Sequence, residues 1–305
     1  MKFQLTILGC SSATPTAERH PSSQVLNINE TIFLIDCGEG TQIQLRRNKI
    51  KLQRINHIFI SHLHGDHYLG LIGLLSTMSI LGRTNDIHIY SSPLLQEVID
   101  IQIKASDIHL NYQICFHFLN YEKLDLLFEN KNVETFSFPM IHRIPTCGFL
   151  FISTHKEKNI NKEVLNKENI PIEAIKQIKN GADFTTEDGR LLKNAIITKE
   201  NVLPLSYAYC SDTIFDESIV QYIKNVDLLY HEATFMNDMA TMAKEKFHST
   251  TVEAATIASK ANVKQLIIGH FSARYNDLSP LLIETKTVFD NTLLAEEGKV
   301  YSLSD

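Results

Sequence analysis

A short apolar run, Ile58-Phe59-Ile60, passes without a break into Ser61-His62-Leu63-His64-Gly65-Asp66-His67, and no other stretch constrains the fold of this chain as strongly. Three imidazoles and a carboxylate fall within six positions. With 13 histidines in 305 residues, chance would produce such a pattern in roughly one chain in a thousand. Neutral imidazole and carboxylate are the groups that zinc takes as ligands where thiolates are absent. The preceding residues, Ile55–Ile60, read as a strand, so the cluster falls on the loop at a strand's C-terminal end, where Gly65 permits a sharp turn. So short a segment cannot easily aim all four ligands at one ion, and two neighbouring ions are the natural solution.

Further ligands must then arrive from elsewhere, and three candidates share the same context. His142 follows the β-rich Val133–Phe138, Asp212 follows the strand-like Leu205–Cys210, and His270 follows Gln265–Gly269. Taken alone, each reads as a surface or capping residue. Placed at strand ends, as catalytic residues in α/β folds commonly are, they become the expected completion of the site.

Strand patterns recur at Phe3–Leu8, Val25–Ile28, Thr31–Ile35, Ile87–Tyr90 and Val226–Tyr230, with helices expected over Thr41–Arg47 and Tyr68–Leu81. Thr250 followed by Glu253 has the capping-box spacing of a helix start, and the residues after Gly298 form at most a closing strand. Strands alternating with helices in both halves predict an α/β protein of layered sheets, a single domain over 1–305. Only residues 154–190 break the pattern. They are polar and lysine-rich, neutral in sum, with helix-forming stretches at Glu163–Asn166 and Ile172–Lys179. A solvated helical insertion and a projecting substrate-binding arm both fit.

Composition narrows less. A net charge of -6 announces no global basic field, but a nucleic-acid enzyme needs only local basic patches, and bound cations add charge that the sum omits. The five cysteines are widely spaced without a C-x-x-C pair, which suits reduced thiols. Ile7-Leu8-Gly9-Cys10 has the look of a lipoprotein cleavage site. The apolar stretch before it is short and interrupted by Gln4 and Thr6, so a first strand is expected instead. No apolar run reaches membrane-spanning length, and the expectation is a cytoplasmic protein with no membrane partner.

The histidine segment resembles the signature of the metallo-β-lactamase superfamily, and the chain as a whole resembles the ribonuclease Z family. The likeness rests on Ser12-Ala13-Thr14-Pro15-Thr16, Asp36-Cys37-Gly38-Glu39-Gly40-Thr41-Gln42, Ser61 through His67 with Gly70-Leu71, and His142-Arg143-Ile144-Pro145. It continues through Ser211-Asp212-Thr213, His231-Glu232-Ala233-Thr234-Phe235, His248-Ser249-Thr250 and His270-Phe271-Ser272-Ala273-Arg274-Tyr275. The histidine segment, Ser61 through His67, defines only the superfamily; the elements at Glu232 and His248 narrow it.

The resemblance implies a four-layer αβ/βα sandwich with an inserted arm, a homodimer, and an endoribonuclease that removes the 3′ trailer from precursor tRNA and leaves a 3′-hydroxyl. Two zinc ions per subunit are implied, with manganese as the alternative metal. One would be held by His62, His64 and His142, the other by Asp66, His67 and His270, with Asp212 bridging. The family's reaction is metal-hydroxide attack on a phosphodiester, with the two metals clamping the attacking and leaving oxygens. It assigns Asp66 the proton of the attacking water and makes His248 the donor to the leaving oxygen, oriented by Glu232. A helix-start role is the competing reading of His248. His231 is expected to serve packing, and His20, His57, His88, His109, His117 and His155 to lie at the surface or in packing.

Ser12, Thr14 and Arg274 are candidate phosphate contacts, with Lys176 and Lys179 on the arm. The arm lacks the family's Gly-Pro element and reads Asn169-Ile170-Pro171-Ile172-Glu173 there, while Ser211 stands in place of a glycine and Ala273 in place of a serine. The alternative function is a phosphodiesterase or sulfatase of the same fold acting on a small molecule, which would not need a long lysine-containing insertion.

Overall fold

The computed structural model describes residues 2–154, 159–199 and 204–303. Two seven-stranded sheets face one another. In spatial order, the first holds Val300–Ser302, Phe3–Gly9, Ser23–Ile28, Thr31–Cys37, Ile55–Phe59, Ile87–Ser91 and Ile114–Phe118. The second holds Thr292–Leu294, Gln265–Gly269, Leu228–Glu232, Ser206–Cys210, Thr146–Ser153, Val133–Met140 and Asp125–Glu129. Each sheet is part parallel and part antiparallel. Helices, among them Leu71–Ile80 against the first sheet and Thr251–Lys260 against the second, form the outer layers of the αβ/βα sandwich.

The nearly continuous apolar runs follow from burial on both faces of a strand. Phe33 and Ile35 point into the core between the sheets, whereas Ile32 and Leu34 point into the core under the helices. Phe59 faces the first of these cores, and Ile58 and Ile60 the second. The residues after Gly298 do form a closing strand, pairing Tyr301 with Leu5.

Helix Thr41–Arg47 has the expected bounds. Tyr68–Leu81 is not one helix. A turn over Gly65–Tyr68 is followed by a separate helix, Leu71–Ile80, because Gly70 packs against the loop after Cys37. A Cβ on Gly70 would stand 2.1 Å from the Gly38 carbonyl oxygen, a contact only glycine avoids. The strand expected at Val226–Tyr230 instead spans Leu228–Glu232, which places His231 and Glu232 inside the sheet.

Residues 159–199 form a small unit on their own core of Ile170, Ile178 and Ile197. Asn159–Ile160 pairs with Thr198–Lys199, so the insertion runs past Arg190, where its polar composition had suggested an end. Helix Ile172–Lys179 is present with the expected bounds. His155, Lys156, Glu157 and Lys158 lie outside the described residues.

The capping box at Thr250 is formed in both directions: Thr250 Oγ1 accepts from the Glu253 N–H at 3.2 Å, and Glu253 Oε2 accepts from the Thr250 N–H at 2.8 Å. Thr250→Ala should cost about 1 kcal/mol of stability, read as a lower urea midpoint at an unchanged m-value. An unchanged midpoint would show that the box contributes nothing.

Candidate metal centre

The sandwich brings seven side chains to one edge, at the ends of strands from both sheets. Ligand atoms of His62, His64, His142 and Asp212 lie within 4.8 Å of one another, as do those of Asp66, His67 and His270. His64 Nδ1 stands 3.1 Å from His62 Nε2 and 3.1 Å from His142 Nε2. Asp212 faces both groups, with one oxygen towards each. Its Oδ2 is 3.5 Å from His62 Nε2 and 3.7 Å from His142 Nε2. Its Oδ1 is 3.4 Å from His67 Nε2 and 3.1 Å from His270 Nε2.

The outer nitrogens of four rings are already engaged, which fixes what the inner ones offer. The His67 Nδ1–H donates to Asp36 Oδ2 at 2.7 Å, and the His142 Nδ1–H donates to the Phe247 carbonyl at 2.8 Å. Ser61 Oγ donates to Asp36 and therefore accepts from His62 Nδ1–H at 3.1 Å. By the same logic, Thr234 Oγ1 donates to Glu232 Oε2 and accepts from His270 Nδ1–H at 3.0 Å. Each ring thus turns a bare Nε2 lone pair inward, the arrangement that outer-sphere partners impose on metal-ligating histidines.

Two buried atoms in the middle, His67 Nε2 and Asp212 Oδ1, have no hydrogen-bond partner. Buried polar atoms are ordinarily paired, and a cation between these lone pairs is what the geometry accommodates. The donor set of imidazole and carboxylate fits a metal cofactor.

Charge points the same way. Burial opposes the His67 cation, yet Asp66, Asp212 and Asp36 hold its pKa well above the usual histidine value. Burial likewise opposes the Asp66 and Asp212 carboxylates, but the surrounding imidazoles keep both well below the usual carboxylate range. His62, buried and next to His67, is pushed down to about 4 and stays neutral.

Asp36 was quoted in the sequence only as part of a motif, and the structure makes it the central outer partner. Fully buried, it accepts from Ser61 N–H at 2.8 Å, Ser61 Oγ at 2.9 Å, His67 Nδ1 at 2.7 Å and Tyr209 Oη at 2.6 Å. Its φ of 53° is in the left-handed region, which Asp tolerates better than most residues. An Asp directly before Cys-Gly at a strand end was the available signal. Thr234 was missed for the same reason: its role depends on residues brought to it by the fold.

Above the cluster sits His248. Its Nδ1–H donates to Glu232 Oε1 at 2.9 Å, and Glu232 is fully buried, also accepting from the Thr213 and Thr234 N–H groups at 3.0 and 3.1 Å. Burial disfavours the His248 cation, but the Glu232 carboxylate carries its pKa up to about 9. His248 follows the helix Ala240–Lys246, whose end makes the two reversed bonds of a Schellman motif: His248 N–H to the Ala243 carbonyl at 2.8 Å and Phe247 N–H to the Lys244 carbonyl at 3.2 Å. It precedes, and does not cap, the helix that starts after Thr250.

A cleft of roughly 540 Å³ opens over these groups, and Ser12, Thr14 and Arg274 line it, as do Arg143 and Lys246. Ala13 N–H in the same loop donates to Asp66 Oδ2 at 2.7 Å. The Arg274 guanidinium lies 5.2 Å over the Phe235 ring. Lys176 and Lys179 belong to the inserted unit and do not line the cleft. His231 is buried and donates from Nδ1 to the Glu232 carbonyl at 2.7 Å, a packing position. His20 pairs with Glu297, His57 stacks on His88, and His117 lies tilted beside His88 on the neighbouring strand of the first sheet.

This sandwich, with its His/Asp cluster at one edge, places the chain in the metallo-β-lactamase fold class. A metallo-β-lactamase fold protein of Bacillus subtilis superposes with a TM-score of 0.68 over 99% of this chain and 100% of its own at 19% identity, a likeness of fold alone. The model of the family described as Anti-Pycsar protein Apyc1 matches residues 3–151, the half that carries the histidine segment. Full-length likeness is more specific. Ribonuclease Z of Bacteroides fragilis is 45% identical over 302 residues, covering 99% of each chain. Ribonuclease Z of Bacteroides thetaiotaomicron is 46% identical over 304 residues, 100% of this chain and 96% of its own. The crystal structure of the short form of human tRNase Z matches with a TM-score of 0.71 and 27% identity, covering 99% of this chain and 100% of that one. The chain belongs to the ribonuclease Z family.

Proposed function

We propose that this protein is a hydrolase of precursor tRNA, an endoribonuclease that removes the 3′ trailer and leaves a 3′-hydroxyl on the tRNA. The observation that carries this reading is the buried Glu232–His248 pair set over the His/Asp cluster, in a chain whose full-length relatives are ribonucleases Z. His62, His64 and His142 would hold one zinc ion and Asp66, His67 and His270 a second, with Asp212 between them. Manganese is the alternative occupant. When bound, such a pair supplies positive charge that acidifies water and stabilises the phosphodiester's developing negative charge.

The chain's own residues do the rest. Asp66, oriented by the Ala13 N–H, accepts a proton of the attacking water. As the new P–O bond forms, the bond from phosphorus to the ribose 3′ oxygen breaks, and His248 delivers its proton to that oxygen. Glu232 is the positioning residue, holding the imidazole in place and charged. Arg143, Lys246 and Arg274 meet the backbone phosphates, with Ser12 and Thr14 as further donors.

The inserted unit, with Lys176 and Lys179, would grip the tRNA body. We read the protein as a homodimer in which this unit reaches the partner's substrate; exposed apolar side chains Ile43, Leu69 and Ile80 near the helices over the first sheet support an interface. A cytoplasmic setting agrees with five free cysteines, and among the described residues no helix is long and apolar enough to cross a membrane.

Incubation with zinc and a 3′-extended precursor tRNA tests the reading. Release of one trailer, lost on chelation and restored by zinc, is expected. No trailer cleavage alongside hydrolysis of a small chromogenic phosphodiester would overturn it in favour of a small-molecule enzyme.

A further inference from the structure

Helices form the outer layer over the first sheet, yet on that face a second pocket of roughly 260 Å³ opens near the start of Phe3–Gly9. Its floor is made of cross-strand rows. Gln4, Asn27 and Ile32 are register partners in three adjacent strands, and Thr6 and Val25 form the next row. Val25 and Ile32 belong to the core under the helices, which identifies the face. Lys49, Ile50 and Lys51, just past the helix Thr41–Arg47, make one wall, and Lys2 and Arg54 complete the rim.

This pocket shares no lining residue with the cleft over the His/Asp cluster. Gln4 stands near the start of its strand, whereas the far end, Gly9, leads to the Ser12–Thr14 loop of the cleft. The strand between Gln4 and Gly9 runs about 17 Å, so the two sites are remote from one another.

The chain carries a net charge of -6, but four cations gather here and, among the described residues, no carboxylate lines the pocket. Glu30 lies beside the rim and pairs with Lys2 at 2.9 Å and with Arg54 at 2.7 Å, all three exposed. One carboxylate leaves the set positive, and the Lys49 and Lys51 ammoniums have no ion-pair partner among the described residues.

Exposed lysines alone are ordinary surface. What sets these apart is the chemistry beneath them. Thr6, only 9% exposed, contributes a hydroxyl that has no hydrogen-bond partner among the described residues. Asn27 Oδ1 accepts from the Glu30 N–H at 2.9 Å, which leaves the amide Nδ2 as a donor. Around these groups lie the apolar side chains of Val25, Ile32 and Ile50. An apolar lining with a few polar groups that fix orientation is the composition of a small-molecule site.

We propose that this pocket binds a small phosphomonoester, its dianionic phosphate held by Lys49, Lys51 and Arg54 and its compact apolar body set on Val25, Ile32 and Ile50. Several cations and neutral donors suit the many acceptor sites of a phosphate better than those of a single carboxylate. A free molecule fits better than an RNA backbone. A polynucleotide would lie across the exposed ammoniums and leave the Thr6 and Asn27 donors below them unused.

Calorimetric titration of the zinc-loaded protein with phenylphosphonate, a dianion that the enzyme cannot hydrolyse, and with inorganic phosphate tests the site. The wild type is compared with the double variant Lys49→Asn/Lys51→Ala, Asn being chosen because Lys49 has a left-handed φ of 57°. Either probe can also bind at the metal centre, but it does so in both proteins, so their difference reports the pocket. The wild type should show a binding event that the double variant weakens about tenfold, with phenylphosphonate bound more tightly there than inorganic phosphate. The melting temperature and the KM for precursor tRNA should stay unchanged. Identical isotherms for the two proteins would overturn the proposal, and so would equal affinity for the two probes, since the apolar floor would then contribute nothing. A raised KM for precursor tRNA in the double variant would overturn it too, by assigning the lysines to the RNA backbone. Failure of the wild-type protein to cleave the precursor would overturn the ribonuclease reading alone.

Discussion

Asp212→Ala is expected to strip both halves of the metal centre at once. The two oxygens of this one carboxylate serve different histidine groups, Oδ2 facing His62 and His142 and Oδ1 facing His67 and His270, at 3.1–3.7 Å. On the proposed ligand set, its loss would remove an inner ligand from each group and leave the imidazoles facing one another with less negative charge to hold a cation. Mutating an outer partner commonly costs about 10–100-fold in metal affinity, and removing a shared inner ligand should exceed that. Metal analysis after gel filtration should find both ions gone, and trailer cleavage should be lost at zinc concentrations that saturate the wild type. Retention of two ions per subunit would sink the bridging role. Circular dichroism distinguishes metal loss from unfolding.

The second large effect falls on the leaving group. His248→Ala should lower kcat by roughly 10²–10⁴-fold, the usual contribution of a positioned general acid, with metal content unchanged. A precursor whose scissile 3′ oxygen is replaced by sulfur has a leaving group that needs no proton, and it should recover most of the lost rate. No such recovery would argue against proton donation by His248.

Glu232→Gln probes the same step through its positioning partner. The carboxylate 2.9 Å from Nδ1 stabilises the imidazolium and holds its pKa up to about 9. A neutral amide withdraws that support, so His248 sheds its proton at lower pH and the alkaline fall in kcat moves towards acid. Cations in the centre push against the imidazolium in both proteins, so the direction of the difference stands. An unmoved alkaline limb in Glu232→Gln would separate the pair from the chemistry.

Much of the fold was legible in local pattern. Helices Thr41–Arg47 and Ile172–Lys179 were expected at their observed bounds, because side-chain periodicity and flanking turn residues are properties of the segment itself. The division of Tyr68–Leu81 was not, since it depends on the approach of Gly38 from a distant loop. The pairing of Asn159–Ile160 with Thr198–Lys199, which closes the inserted unit, was equally hidden: two-residue strands carry no period to read.

The seven proposed ligands show the same boundary. Their residue types, and their recurrence at the ends of apolar runs, are written in the chain, and so is the chemistry such donors favour. What each does geometrically was decided only by the folded molecule. Asp36 binds Ser61 and His67 from 25 and 31 residues away and Tyr209 from 173, and the Asp-Cys-Gly motif that marks its position does not name these partners. The same holds for the nitrogen that each imidazole turns inward, for the two-sided position of Asp212 and for the left-handed backbone of Asp36. Ligand identity is a local property of the sequence, whereas orientation, charge balance and strain arise from contacts made across it.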